Sequence, residues 1–153
     1  MISPPELMAM ARRVARDAGL DPALVCAVIE QESAWNPWAM RFEPAFFQRY
    51  VVLSLSTKKF TDTEAYARAC SWGLLQVMGQ VARENGYNGQ FLSALCDPEQ
   101  GITVGCRVLA KKLAAARGDT TRALLAWNGG ANLSYAEQVS ARMSRYPSSE
   151  PEK

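Results

Sequence analysis

Apolar residues recur along this chain at helical spacing rather than in strand alternation. The densest stretch is Ala23-Leu24-Val25-Cys26-Ala27-Val28-Ile29, with Glu32 four residues after Val28 and seven after Val25. A helix there carries the Glu32 carboxyl along the continuation of a buried stripe. Asp21-Pro22 predicts its start and Asn36-Pro37 its end, because Asp caps, Pro suits the first turn, and the residue before Pro resists helix. Ser3-Pro4-Pro5-Glu6 reads as a capping box for an earlier helix that stops at Gly19.

The same punctuation continues to the C-terminus. Glu43-Pro44 opens a short helix through Tyr50, and residues 61–63 cap another through Ala69. Ser71 is placed to introduce a helix holding Leu74, Leu75, Val77, Met78, Val81 and Ala82, with Gly86 at its end. Asp97-Pro98 starts the longest segment, whose apolar side is Ile102, Val104, Val108, Leu109 and Leu113. Lys111, Lys112 and Arg117 load its C-terminal end, where cations suit the helix dipole. Asp119 or Thr120 caps a helix through Trp127, Gly129-Gly130 breaks it, and a last helix covers residues 134–145. Only residues 51–55 offer a weak strand candidate. The expectation is one all-α domain over residues 1–146, with seven or eight helices around a central apolar one, and a flexible tail over 147–153.

Composition narrows the chemistry. The chain has 153 residues, 48% hydrophobic, enough for one real core. A net charge of +2 is too small and scattered for nucleic acid, and no apolar run approaches the roughly 20 residues of a membrane span. Pro4, Pro5 and Glu6 stand where a secretory signal needs an apolar core. There is no histidine, which removes Ser-His-Asp and Cys-His catalysis and the usual His-containing zinc sites. Cys26, Cys70, Cys96 and Cys106 lack C-x-x-C spacing; buried free thiols are the leading reading and a disulfide the other. No cofactor is implied, so acid–base chemistry falls to carboxylates. A monomer is the default, since no heptad seam is left over.

Four segments then line up. Val28-Ile29-Glu30-Gln31-Glu32-Ser33-Ala34-Trp35-Asn36-Pro37, Gly73-Leu74-Leu75-Gln76-Val77-Met78-Gly79, the Asp97-Pro98 helix with Gly101 and Gly105, and Ala126-Trp127-Asn128-Gly129-Gly130 occur in that order. Together they resemble the soluble lytic transglycosylases, the lysozyme-like family shared with goose-type lysozymes. The chain departs from the family at three points. Trp127 stands where Tyr is usual, so the resemblance implies that the phenol near the catalytic carboxyl is absent. Gly79 stands where Pro is common. The interval from Ser33 to Gly73 holds 39 residues, about twice that of many bacterial members, and the excess over residues 39–54 is expected to border the cleft.

The resemblance implies cleavage of the β-1,4 bond between N-acetylmuramic acid and N-acetylglucosamine in peptidoglycan. Glu32 is the expected general acid, then the base that closes a 1,6-anhydro ring. Ser33 would orient the sugar or Glu32, or bond back to its own helix. Gln76 and Asn128 would serve acetamido groups, or Asn128 a turn. Gly73 would admit the glycan or close packing, Trp127 would stack on a sugar or fill the core, and Met78 would pack or line the cleft. Glu43 carries three readings: a water-activating second carboxylate roughly 6.5–9.5 Å from the first, a helix-start residue paired with Arg41 or Arg49, or a contact to Glu32 or substrate. The first would make an inverting muramidase or a chitinase acting on chitin oligomers. Glu30 is a weaker rival to Glu32, and Glu84 and Glu99 read as solvated. A glycan-binding module without turnover is the reading from another class. The wall is the site of action, and a phage-type lysin released from the cytoplasm by other factors, a secreted effector or a domain of a larger protein all suit the chain.

Overall fold

The computed structural model describes residues 4–52 and 60–147. The predicted capping residue Ser3, residues 53–55 of the strand candidate, and 148–153 of the tail lie outside them. Helix α1 (Pro4–Asp17) leads through Gly19 to α2 (Pro22–Ser33), where the Asp21 side chain accepts the Ala23 amide at 2.8 Å. All seven residues from Ala23 to Ile29 are buried. Burying a side chain such as Ile29 contributes about 1.5–3 kcal/mol, so α2 can be held as the core only if it is enclosed on every side. α1 covers one flank and the last helix, α8 (Tyr135–Met143), the other. The long helix α6 (Pro98–Ala115), capped by Asp97, packs on α1 and on α7 (Thr120–Trp127), capped by Asp119. The fold is mostly helical, as expected, and no helix among the described residues is long and apolar enough to cross a membrane.

One expected helix is corrected. Residues 70–78 form no helix from Ser71 but the hairpin of a small antiparallel sheet, ordered β1 (Met40–Phe42), β2 (Cys70–Trp72), β3 (Val77–Met78). Arg41 pairs with Ser71, and Trp72 with Val77. The physical reason lies at the turn, where Gly73 and Gln76 hold φ of 66° and 46°, values a right-handed helix excludes. A Cβ on Gly73 would stand 2.3 Å from the Leu95 carbonyl oxygen, so only glycine fits. Leu74 and Leu75 are buried in that turn. The helix begins later, as α5 (Gly79–Glu84).

The long interval after α2 has its own small core. Glu43-Pro44 does open a helix, α3 (Pro44–Phe46), which runs into a π-helical turn (Phe47–Val51); Val51, expected in a strand, ends that turn. Thr61 caps α4 (Asp62–Arg68) through the Glu64 amide. Phe47, Val51, Ala65 and Ala69 bury one another, with Phe46, Val52 and Phe60 around them, and the Phe47 and Tyr66 rings stack at 4.7 Å. Glu64 fastens this unit to α5 by accepting from Arg83 Nε at 2.8 Å, while the same Oε1 accepts from Arg68 Nε of its own helix at 2.9 Å.

Candidate active site

Glu32 is the penultimate residue of α2, at the point where the chain leaves the core. The helix ends on two non-glycine residues in the left-handed region, Ala34 (φ 49°) and Trp35 (φ 64°). Each such residue costs about 1–2 kcal/mol, and the turn holds because it is tied down beyond itself. Trp35 Nε1–H donates to the Tyr146 hydroxyl at 2.9 Å, and that hydroxyl donates to Glu30 Oε2 at 2.7 Å.

Two neutral donors converge on one oxygen of Glu32. Trp127, the last residue of α7, donates its indole N–H to Oε1 at 3.1 Å, and Tyr135, the first residue of α8, donates its hydroxyl at 2.5 Å. Oε2 has no hydrogen-bond partner among the described residues. Burial pushes the Glu32 carboxyl above the ordinary carboxylate range, against the opposing pull of Tyr135, Trp127 and the Arg41 cation. Burial and the neighbouring Glu32 charge push the Tyr135 phenol far above its usual value, so it stays a donor. Glu30 has a different setting: Arg145 donates to its Oε1, and Arg142 lies 3.8 Å away. Glu30 is thus bonded by a cation, whereas the hydrogen bonds to Glu32 come from neutral donors.

The remaining candidates are divided between site and scaffold. The Ser33 hydroxyl donates to the Ile29 carbonyl at 3.1 Å, within its own helix. The Gln76 side-chain amide donates to the Ala39 and Gly73 carbonyls at 3.0 and 2.9 Å and accepts from Ser71 at 2.8 Å. Gln76 thus clamps the hairpin to the segment leaving α2, where the Gly73 amide also donates to the Ala39 carbonyl at 2.8 Å. Met78 is half-buried at the start of α5. Asn128 donates to the Asn132 carbonyl at 2.9 Å and shapes the turn before α8. Asn132 in turn donates to Gln138, which accepts from Gln31 at 3.0 Å. That chain docks α8, and with it Tyr135, against α2. Glu43 precedes α3 and accepts from Arg41 Nε at 2.5 Å; Arg49 lies instead 5.3 Å from the Tyr50 ring. Glu84 and Glu99 are exposed. The four cysteines are buried free thiols, and no cluster of three or more His, Cys, Asp or Glu fit for a metal exists among the described residues.

Tyr135 is the residue sequence reasoning missed, and it corrects the expectation that a phenol is absent. Trp127 does replace the usual Tyr, but a hydroxyl reaches the carboxyl from the next helix. The only sequence signal was a tyrosine opening an amphipathic helix, which a partner-seeking buried hydroxyl would explain.

No solved structure matches the chain. The transglycosylase SLT domain family does match, over residues 9–145, a span that takes in α2, the hairpin and both donors to Glu32. By that match the chain belongs to the transglycosylase SLT domain family, glycan-cleaving enzymes that act on peptidoglycan.

Proposed function

We propose that this protein is a lytic transglycosylase that breaks the β-1,4 bond between N-acetylmuramic acid and N-acetylglucosamine and leaves a 1,6-anhydro end. The observation that carries the reading is the setting of Glu32, a carboxyl raised by burial but met by two neutral donors. Burial favours the protonated form, which a general acid needs. Glu32 gives that proton to the glycosidic oxygen as the bond to C1 breaks. The substrate's acetamido group stabilises the cationic centre, while Trp127 and Tyr135 hold the new carboxylate. Glu32 then takes the proton of the 6-hydroxyl as that oxygen attacks C1, so one carboxyl serves twice. The substrate sets the place of action at the cell wall. An inverting hydrolase would need Glu43 as a base, and its ion pair with Arg41 is why we favour one-carboxyl chemistry.

Mass spectrometry of the soluble products from purified peptidoglycan tests this. The expected products are one water lighter than hydrolytic muropeptides, and absent with Glu32→Gln. Reducing-end products would make the protein a hydrolase. Saturable wall binding without any product would make it a binding module.

A further inference from the structure

Arg41 was not among the expected site residues, yet it acts on both carboxylates. Its Nε holds Glu43 Oε1 at 2.5 Å, the Glu43 side chain being one-third exposed at 33%. Arg41 and Glu43 lie two residues apart on extended chain, so their side chains share one side. Both backbones are fixed: Arg41 pairs with Ser71 in the sheet, and the Glu43 amide donates to the Ala69 carbonyl at 2.9 Å. The same guanidinium acts on Glu32 electrostatically. No second cation pairs with Glu43 among the described residues, because Arg49 is engaged with Tyr50. Removing Arg41 therefore takes from Glu43 the cation that holds it.

We propose that Arg41 is a positioning residue that withholds Glu43 from base duty and so decides which oxygen captures the glycosyl centre. The inference rests on the one-carboxyl reading above. With Glu43 held, the 6-hydroxyl oxygen bonds to C1, its proton goes to Glu32, and no water is consumed. With Glu43 released, a water oxygen bonds to C1, its proton goes to Glu43, and the product gains one water. With its ion pair gone, the Glu43 oxygen that Arg41 occupies is open to accept a proton from water. The titratable and charged groups acting on these carboxylates are Tyr135 on α8 and Arg41 on β1 toward Glu32, beside the neutral Trp127 donor, and Arg41 and, across the sheet, Cys70 toward Glu43.

The test digests purified peptidoglycan in ¹⁸O-water with the wild type, Arg41→Gln, Arg41→Lys and the Arg41→Gln/Glu43→Gln double variant, each checked for an intact melt. Hydrolysis writes ¹⁸O into reducing ends; ring closure does not. Arg41→Gln is expected to raise the labelled fraction at least tenfold, Arg41→Lys to keep the wild-type ratio, and the double variant to return to it. The alkaline limb of kcat/KM in Arg41→Gln also moves up, since a cation acting on Glu32 is gone. An unchanged ratio in Arg41→Gln, a double variant that keeps the label, or total loss of turnover in folded Arg41→Gln overturns the inference alone. Labelled reducing ends from the wild type overturn the one-carboxyl reading and this inference with it.

Discussion

At Glu32 a phenol and an indole share a single carboxylate oxygen, and the two are not equivalent. Tyr135 is closer and donates through oxygen, so it is the stronger stabiliser of the anion formed when the proton leaves. Hydrogen bonds to charged groups are worth about 1.5–3 kcal/mol, which converts to roughly 10–100-fold in rate. Tyr135→Phe is therefore expected to lower kcat by that factor while leaving the fold intact. The pH profile should separate this from a packing defect. Tyr135 lowers the Glu32 pKa against burial, so its loss moves the alkaline limb of kcat/KM, where the general acid loses its proton, to higher pH. An unmoved limb would refute a direct role for the phenol. Glu30, two residues earlier on the same helix, shows what a cationic setting does instead: held by Arg145, it belongs to the scaffold.

Among the elements, α4 is tied to its neighbour by a half-buried polar junction. Glu64 joins it to α5 through Arg83 and also pairs with Arg68 within α4, with only 18% of the Glu64 side chain exposed. Burial opposes its charge, but the Arg83 and Arg68 partners prevail and hold the carboxyl below its usual range. The sign follows: stability from this junction is present above the unfolded carboxylate pKa and is lost as pH falls through the depressed folded value. Glu64→Gln should cost about 1–3 kcal/mol at neutral pH, and melts at descending pH should show the wild type converging on the variant. Parallel curves would mean the ion pairs are ornamental. Elements like this one show what was legible beforehand. Asp21, Thr61, Asp97 and Asp119 each cap the helix they were expected to open, because capping is local chemistry. The hairpin at 70–78 was not legible, since Leu74, Leu75 and Met78 keep helical spacing while a left-handed Gln76 leaves no mark in sequence. Glu32 could be read from its apolar stripe. Tyr135, 103 residues away, could not, because only helix docking decides which hydroxyl meets it.

For the molecule as a whole, the division into a main core around α2 and a satellite core around Phe47 means that opening need not be all at once. All four thiols belong to the main core, but Cys70 lies where it borders the satellite. Cys26 and Cys106 are fully buried in the main core, and burial pushes them up to about 11 and about 12. Cys70 sits on β2, 7% exposed, and donates to Tyr66 on the wall of the satellite. Since only thiolates react and sheltered ones are inert, each sulfur keeps time by the opening of its own neighbourhood. With a disulfide reagent and mass readout across a mild denaturant series, Cys70 should label well before Cys26 and Cys106. Simultaneous labelling of all of them would mean one cooperative unit. Buried sulfur that is silent in the native state thus turns the chain into a pair of clocks, one at the border with the satellite core and one for the body that carries Glu32.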